Sequence, residues 1–460
     1  MEPPDRTDRT DRTDRPSPPA TASAEAEVAD AMAALFARQP NRMVPDLDRI
    51  TTLVELLGRP DLAHPCVHVS GTNGKTTTTR MIAALFGALG LTAGSYTSPH
   101  LQDVRERICV ADDLISAEAL LDALRQLEPY LAEVDARHPD RVTFFEVLTA
   151  VAHMLFADAP VDLAVYEVGM GGRWDATNTV RGEVAVLGPI TLDHPELGAS
   201  VAEIAMEKAG IIKPGATVVS SEQDPAVLAV LQRAASERDA RLLLAGRDFG
   251  VERRQLAVGG QLLALRTVSG TVEEVYLPLH GRHQAGNAAV ALTAVDAFLG
   301  FSGSVDPEVI RTGFAAVRSP GRLEVVRRVD AATVVLDGAH NPAGVAALAT
   351  ALREEFAFRH RVMVVGVLAD KDIEHMVEGL LEVADHIVVT ELDSPRAAPA
   401  ERIAGVARAF GRSVEVFPDV ASALDAASGL AGEEDGVVVT GSLHTVGAAR
   451  TALGLDPDAR

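Results

Sequence analysis

The sequence predicts an α/β fold with two domains, each built around a mostly parallel sheet. Short β-branched apolar runs alternate with helix-length segments, which is the pattern of parallel strands joined by helices. One series of such runs ends before residue 300 and a second follows it. The 460 residues, of which 47% are hydrophobic, are too many for one ordinary core and sufficient for two.

Residues 1–25 are predicted to form a disordered tail. They repeat Asp-Arg-Thr and then become rich in Pro, Ser and Ala, so they lack the apolar side chains that would offset the entropy of ordering. They also lack the apolar segment of a secretory signal, and their aspartates are unlike a transit peptide. No apolar run approaches the roughly 20 residues of a membrane helix. We therefore expect a cytoplasmic protein.

Composition restricts the class of partner. A net charge of -23 repels nucleic acids and acidic membranes, although it leaves room for a local basic pocket. The two cysteines, Cys66 and Cys109, form no disulfide framework and no metal-ligand spacing, and are best interpreted as packed thiols in a reducing compartment. We expect small-molecule substrates, no nucleic acid, no membrane contact and a monomer.

The first domain is predicted to span residues 26–318. An amphipathic helix runs through Phe36, and a second starts near Pro45 with Ile50, Leu53 and Val54 on one face. Buried parallel strands are predicted at 66–70, 161–167 and 184–190. Residues 241–279 break this rhythm, and their runs around Gly270 predict antiparallel strands appended to the domain.

The second domain is predicted to span residues 319–460. It is expected to be a smaller Rossmann-like α/β unit, an open sheet with helices on both faces. The expected strands are 333–336, 362–367, 386–390, 413–417 and 436–440.

A glycine-rich phosphate loop is the clearest chemical motif. The loop follows a strand and opens a helix, and Val69 stands where the usual first glycine would be. Its backbone N–H groups suit phosphate oxygens, while Lys75 reaches the outer phosphates and Thr76 faces a magnesium ion. An ordinary tight turn would not need Gly-Lys-Thr at the start of the helix. The motif predicts a P-loop ATPase domain that binds nucleotide through Gly71, Thr72, Asn73, Gly74, Lys75, Thr76 and Thr77.

Further motifs, taken in order, resemble the Mur ligase superfamily. They are 97–100 (Thr-Ser-Pro-His), 167–173 (Glu-Val-Gly-Met-Gly-Gly-Arg), 193–194 (Asp-His) and 207–211 (Glu-Lys-Ala-Gly-Ile). The segments 42–47, 98–100, 175–178 and 320–324 resemble its dihydrofolate synthase and folylpolyglutamate synthase branch. The resemblance continues through 281–287, 337–342, 370–372 and 394–396. It implies an ATP-dependent ligase that adds L-glutamate to dihydropteroate, to reduced folate glutamates, or to both.

The resemblance implies two magnesium ions held by Ser98, Glu167 and His194. A hard cation prefers oxygen, so the hydroxyl and the carboxylate fit this role better than the imidazole. Each residue also has an ordinary interpretation. Ser98 before Pro99 is typical turn chemistry, Glu167 ends a strand where a solvated carboxylate is common, and an isolated histidine is more often packed or exposed than a ligand.

Lys208 is implied to be carbamylated, which would place a carboxylate beside the second metal ion. On the sequence alone a simpler interpretation is favoured. Lys208 lies in the last turn of a predicted helix that starts at Val201 and ends before Gly210, where a cation complements the helix dipole.

The resemblance also assigns the substrate sites. The pterin pocket is implied at Thr143, Phe145, Trp174, Asp175 and Ala176, where an aromatic ring would stack on the heterocycle. Phe145 and Trp174 could equally be packing residues, and Trp174 stands where a smaller aliphatic residue is expected. His340 and Ser442 are implied at the glutamate site, next to His444 in place of the usual tyrosine.

Nucleotide contacts from the linker and the second domain are implied at Asn287, Arg322 and Asp337. Arg322 would reach the transferred phosphoryl group only after domain closure, although a surface ion pair is its ordinary alternative. The implied catalytic set is Lys75, Lys208, Arg322 and His340. The implied reaction forms an acyl phosphate and ADP, after which glutamate's amine displaces phosphate.

Two alternatives remain open. A cell-wall Mur ligase would carry a uridine-nucleotide domain before the phosphate loop, but only about 45 residues separate the repeat-rich tail from Gly71. A nucleotide-dependent binding or scaffold protein without chemistry is distinguished by whether ADP appears only when folate and glutamate are both present.

Overall fold

The computed structural model describes residues 22–38, 44–192, 195–301 and 305–457. Most of the predicted tail lies outside these residues, but its boundary is wrong, because residues 22–25 belong to the first helix. The cause is helical periodicity, which places Ala24, Val28, Met32 and Leu35 on one buried face.

The described helices alternate with strands along the chain. They are α1 (Ala22–Phe36), α2 (Asp48–Leu56), α3 (Lys75–Ala88), α4 (Ala117–Arg137), α5 (Phe144–Asp158), α6 (Val201–Lys208), α7 (Pro225–Glu237), α8 (Arg282–Phe298), α9 (Pro307–Ala316), α10 (Pro342–Glu355), α11 (Ile373–Leu381), α12 (Ala400–Ala409), α13 (Val420–Leu430) and α14 (Leu443–Ala452). Within the described ranges, none of the helices is long and apolar enough to cross a membrane.

The strands form three sheets. They are β1 (Cys66–Ser70), β2 (Ala93–Tyr96), β3 (Ile108–Val110), β4 (Asp113–Leu114), β5 (Leu163–Glu167), β6 (Val184–Leu187), β7 (Thr217–Ser220), β8 (Arg241–Leu244), β9 (Gly250–Ala257), β10 (Gly260–Thr267), β11 (Gly270–Leu277), β12 (Glu324–Val326), β13 (Thr333–Leu336), β14 (Arg361–Val365), β15 (His386–Thr390), β16 (Val414–Phe417) and β17 (Gly436–Thr440).

The first sheet has eight strands in the order β4-β3-β2-β5-β1-β6-β7-β8, and is parallel from β2 to β8. Strand β1 lies between β5 and β6, with Val69 opposite Glu167 and Ser70 opposite Leu187. The carboxyl ends of these three strands therefore meet at one edge, where ligands bind in open α/β sheets.

The second sheet is the antiparallel hairpin series β9-β10-β11, as predicted for the runs around Gly270. Its apolar face packs in the same core as α3, α8 and α9. The predicted antiparallel segment starts too early, because residues 241–244 form β8, which pairs in parallel with β7 at the edge of the first sheet.

The third sheet has six strands in the order β12-β13-β17-β14-β15-β16, and only the short β12 is antiparallel. Alternating side chains enter two cores: Val438 packs on the side of α10 to α12, and Val437 and Val439 on the side of α13 and α14. The structure thus has the predicted mixed α/β architecture, a large mostly parallel sheet followed by a separate C-terminal α/β domain covered on both faces.

Candidate active site

The phosphate loop connects β1 to the first turn of α3. Gly74 has φ 82° and directly precedes the helix, and a side chain there would lie 2.8 Å from Oδ1 of Asn287. Gly71 has φ 149° and passes so close to Gly188 that a Cβ atom would be 3.0 Å from its Cα. Both positions therefore require glycine, and Asn287 of α8 lies against the loop as its predicted role requires.

Two lysine amines meet at the carbonyl oxygen of Gly71. Lys75 Nζ donates to this oxygen at 3.1 Å and to Thr72 O at 3.2 Å. Lys208 Nζ donates to the same Gly71 oxygen at 2.9 Å, and the residue is only 4% exposed. Helix α6 has the predicted bounds, but the Lys208 side chain extends into the phosphate loop rather than into solvent beyond the helix end.

Glu167 accepts hydrogen bonds from two other segments of the first domain. The Thr76 hydroxyl donates to Oε1 at 2.9 Å, and the Ser98 backbone N–H donates to Oε2 at 3.0 Å. The side chain is 1% exposed, and this burial raises the pKa of the carboxyl, against the opposing effects of Lys75 and of these hydrogen bonds. The carboxylate is thus held at the end of β5 beside the phosphate loop.

These oxygen-bearing residues fit the magnesium expected from the sequence, because a hard cation takes carboxylate and hydroxyl oxygens and keeps several waters. His194, the third predicted ligand, lies outside the described residues. Within the described part of the chain, no three His, Cys, Asp or Glu side chains form a metal-binding group. A magnesium ion here would therefore depend on Glu167, on hydroxyls such as Thr76 and on oxygens of the nucleotide.

Arg322 interacts electrostatically with one carboxylate of each domain. Burial lowers the pKa of its guanidinium, while the charges of Asp337 and Glu167 oppose that effect. Asp337 accepts hydrogen bonds from the backbone N–H groups of Leu323 at 2.9 Å and Ala339 at 3.0 Å, and burial raises the pKa of its carboxyl. Arg322 therefore interacts electrostatically with Asp337 of its own domain and with Glu167 of the first domain.

Two side-chain contacts join the phosphate loop region to the second domain. Asn73 and Asn341 exchange amide hydrogen bonds of 3.3 and 3.1 Å, and Thr77 is 2.9 Å from the Ser319 hydroxyl. Sequence reasoning assigned no role to Asn341. Its position before Pro342 at the start of α10 was the available signal, because asparagine followed by proline is typical of a helix N-terminus.

The predicted pterin residues border the segment after β5. The half-buried Phe145 ring lies against Gly169, and its centre is 5.9 Å from that of Tyr96. Asp175 accepts a hydrogen bond from Met170 N at 2.9 Å, so it also faces this segment. Thr143 caps α5, Ala176 is buried behind the segment, and Trp174 is 47% exposed under the Arg173 guanidinium.

A buried hydrogen-bond chain connects Asp175 through Thr177 to His68 of β1. The Thr177 hydroxyl donates to Asp175 Oδ1 at 2.6 Å and lies 2.8 Å from Nε2 of His68. His68 is fully buried in β1, which lowers its pKa to about 3. Sequence reasoning missed His68, because a single histidine within an apolar strand carries no recognisable motif.

The two predicted glutamate residues lie in adjacent turns at the carboxyl edge of the third sheet. Gly441 N donates to Ala339 O at 3.1 Å, which holds the turn of His340 beside that of Ser442. His340 Nδ1 is 2.8 Å from Gly338 O, and Ser442 caps α14 by accepting from His444 N at 3.1 Å.

One arginine of each domain acts electrostatically on the neighbouring His444. Burial lowers its pKa, as do the charges of Arg396 and of Arg107 from the first domain. Arg107 also donates to His100 Nδ1 at 3.0 Å. This region suits a ligand that carries carboxylates.

Comparisons with known proteins agree with this geometry. Residues 69–295 match the family model of the Mur ligase middle domain, and residues 321–443 match that of the Mur ligase glutamate ligase domain. The boundary between the two matches falls in the segment that contains Ser319 and Pro320.

Individual relatives are similar over nearly the whole chain. A dihydrofolate synthase/folylpolyglutamate synthase of Mycobacterium tuberculosis is 45% identical over 447 residues, covering 90% of this chain and 91% of that protein. The solved M. tuberculosis folylpolyglutamate synthase complexed with ADP has a TM-score of 0.90 at 44% identity, covering 94% of this chain and 100% of that one. An FPGS–AMPPCP–folate complex has a TM-score of 0.80 at 32% identity, covering 93% of this chain and 99% of that one. The chain therefore belongs to the Mur ligases, in the family of dihydrofolate synthases and folylpolyglutamate synthases.

Proposed function

We propose that this protein is an ATP-dependent ligase that joins L-glutamate to a folate carboxylate through an acyl phosphate. The observation that carries the proposal is that Glu167 interacts electrostatically both with Lys75 of the phosphate loop and with Arg322 of the glutamate ligase domain. A binding protein without chemistry would not need a half-buried arginine from one domain beside the carboxylate of the other.

In the first step an oxygen of the folate carboxylate attacks the γ-phosphorus of ATP, the bond to the β-phosphate oxygen breaks, and ADP leaves. Lys75 and Arg322 would stabilise the negative charge on the transferred phosphoryl group. Magnesium would supply charge neutralisation when bound. Glu167, Thr76 and Ser98 would hold it.

In the second step the amine of glutamate attacks the acyl carbon, the carbon–oxygen bond to phosphate breaks, and the amine loses a proton. His340 is suited to accept it. Because Gly338 O can only accept a hydrogen bond, Nδ1 of a neutral His340 carries the hydrogen, and Nε2 is then the basic atom. Arg396 and Arg107, close to His444, would attract the carboxylates of glutamate.

Lys208 is proposed to act as its carbamate. The support is that two amines converge on Gly71 O from different segments in a buried site, where two like charges disfavour each other. Conversion of the Lys208 amine to a carbamate would replace this repulsion with attraction to Lys75 and would add anionic oxygen for a second magnesium ion.

The pterin is proposed to bind over the segment after β5, between Phe145 and Asp175, with Thr143, Ala176 and Trp174 around it. Either dihydropteroate or a reduced folate has the required heterocycle and carboxylate. Cytoplasmic location and a monomeric state remain predictions from the sequence.

ADP release tests the proposal. We expect ADP to appear only when ATP, L-glutamate and either dihydropteroate or tetrahydrofolate are present together, and to equal the glutamate incorporated. Lys75→Ala should abolish both ADP release and glutamate incorporation. ADP release that does not depend on the pterin substrate would contradict the ligase assignment. Nucleotide binding without turnover, in every combination of ATP, L-glutamate and pterin substrate, would contradict it as well.

A further inference from the structure

A carboxylate at the end of α10 is buried against the first domain. The Glu355 side chain is 2% exposed. It accepts hydrogen bonds from the backbone N–H of Gly281, 3.0 Å from each oxygen, and from Nδ1 of His280 at 3.1 Å. The guanidinium of Arg254 in β9 donates to the same carboxylate. Three residues of the first domain therefore bind one side chain of the second.

The three-stranded sheet holds these donors in place. Arg254 Nε donates to Oε1 of Gln261 in β10 at 2.6 Å. Gln261 is fully buried, and its Nε2 donates to the carbonyl oxygens of Leu279 at 2.9 Å and Gly281 at 3.2 Å. The hydrogen bonds thus close a ring that runs from Glu355 through Arg254 and Gln261 to Gly281 and back to Glu355. We call these four residues the docking ring.

The docking ring adjoins segments of the proposed active site. Gly281 precedes α8, whose Asn287 lies against Gly74 of the phosphate loop. Gly281 has φ 98° and approaches the second domain closely, because a Cβ atom there would lie 3.1 Å from Cδ1 of Leu323, the neighbour of Arg322. Displacement of Gly281 would therefore move the start of α8 relative to the segment that carries Arg322.

Helix α10 contacts the first domain at both of its ends. Asn341, which caps its start, exchanges hydrogen bonds with Asn73 of the phosphate loop. Glu355 is its last residue, and the 14 residues of the helix span about 20 Å. One contact would leave the second domain free to rotate about it. Two contacts at opposite ends of a helix restrict rotation as well as distance.

The chemistry of the docking ring favours alignment over stability as its role. Burial alone would raise the pKa of Glu355, but the hydrogen bonds from His280 and Gly281 and the charge of Arg254 lower it, so the carboxylate is ionised. A buried ion pair adds little net stability, because loss of water offsets most of the attraction. Its directional hydrogen bonds, however, form in only one arrangement of the two domains.

We propose that Glu355 is a positioning residue, which docks the end of α10 on Arg254, Gln261 and Gly281 and so sets the domain arrangement in which phosphoryl transfer occurs. The inference rests on the proposed ligase function, in which Arg322 acts from the second domain. The docking ring lies outside the proposed pterin site, which is built from residues of the first domain. Breaking the ring should therefore slow the reaction of bound substrates and leave pterin binding intact.

Steady-state kinetics of the full-length protein test this role. Glu355→Gln keeps the size of the side chain without its charge, and Arg254→Met keeps a long side chain without its donors. Each should lower kcat about tenfold, while the Kd of tetrahydrofolate, measured by fluorescence titration, stays within about twofold. Because the two side chains act as a pair, the double variant should have about the kcat of the slower single variant.

Arg253→Met is the matched control from the same strand. Arg253 is exposed and pairs with Glu273 of β11 at 2.6 Å, within the three-stranded sheet, so kcat should not change. Small-angle X-ray scattering supplies a readout that does not depend on activity. The radius of gyration of Glu355→Gln and of Arg254→Met should exceed that of the unmodified protein and of the control, because the domains are less firmly docked.

Normal kcat in both single variants would overturn the proposal, even with a lower melting temperature, because the ring would then serve stability alone. Losses that multiply in the double variant would overturn the pairing, and a matching rise in the Kd of tetrahydrofolate would place the ring in substrate binding. Absence of turnover in the unmodified protein would instead contradict the proposed ligase function. The scattering comparison would still decide the docking, since equal radii for all these proteins would overturn it.

Discussion

Asn73 of the phosphate loop and Asn341 at the start of α10 exchange two side-chain hydrogen bonds, of 3.3 and 3.1 Å, across the boundary between the domains. Asn341 also accepts from Gly344 N at 2.8 Å and so caps α10. One side chain thus fixes the end of a helix in the glutamate ligase domain and contacts the loop that holds phosphate.

Asn341→Ser separates these two roles. Serine keeps the helix cap but is too short to reach Asn73, so we expect a nearly unchanged melting temperature. Loss of the cross-domain pair should lower kcat/KM for ATP roughly five- to tenfold, as expected for about 1 kcal/mol. Asn341→Ala, which also removes the cap, should lower the melting temperature in addition. Full activity of both variants would show that the pair does not align the domains.

Lys75→Ala should reduce turnover by more than about a hundredfold, because the proposed mechanism uses the amine to stabilise charge on the transferred phosphoryl group. Its side chain contacts loop carbonyls rather than a core, so circular dichroism and the melting temperature should stay close to those of the unmodified enzyme. Arg233→Ala on the exposed face of α7 is the matched control and should retain activity. Near-normal turnover of Lys75→Ala would remove the loop from the mechanism.

Arg322→Ala should lower kcat by roughly a thousandfold, the scale of an arginine that stabilises a transferred phosphoryl group. Pterin binding, measured by fluorescence titration, should remain within about twofold because the guanidinium faces Glu167 and Asp337. Arg318→Ala, four residues earlier, is the control, since the Arg318 guanidinium donates to the carbonyls of Ala315 and Val317 in its own segment. Weakened pterin binding with normal kcat would instead assign Arg322 to substrate recognition.

Lys208→Ala should be nearly inactive and should recover part of its activity in millimolar acetate, which supplies a carboxylate in the space left by the side chain. Removal of bicarbonate should lower the activity of the unmodified enzyme. A carbamate signal in the ¹³C NMR spectrum after exposure to ¹³CO₂ should be present in the unmodified enzyme and absent from the variant. A bare amine in that spectrum, with full activity, would contradict the carbamate.

His68 should make stability depend on pH. Its pKa of about 3 in the folded protein lies below the usual 6.5, so the unfolded chain binds more protons between these values. The contribution of neutral His68 to the free energy of unfolding is therefore fully present above pH 6.5 and is lost as the pH falls toward 3. His153 and His283, with folded pKa values of about 4, act in the same direction.

The matched variants are His68→Gln and His68→Leu. Because the ionised Asp175 can only accept, the Thr177 hydroxyl donates to it and must receive its own hydrogen bond from His68 Nε2. Glutamine retains a donor and removes the titration, so the pH dependence of the melting temperature should flatten while KM for the pterin stays within about threefold. Leucine should raise that KM. Identical pH profiles for all three proteins would exclude His68 from the acid response.

Motif order and strand patterning predicted much of the fold and site. Strand β1, helix α6 and the series β13 to β17 have strong local signals, and the phosphate loop is defined by its glycines and Lys75. What escaped prediction depends on contacts between distant segments. The pairing of β8 with β7, the Asn73–Asn341 contact and the His68 chain are set by tertiary packing, which no local pattern encodes.

Isotope transfer tests the acyl phosphate most directly. Dihydropteroate labelled with ¹⁸O in its carboxylate, or a reduced folate labelled in its terminal carboxylate, is incubated with enzyme, ATP and L-glutamate. The inorganic phosphate released is then analysed by mass spectrometry. The account predicts one ¹⁸O atom in each phosphate, because the carboxylate oxygen that attacks the γ-phosphorus leaves with it. Phosphate without label, formed at the same rate as the glutamate product, would contradict it.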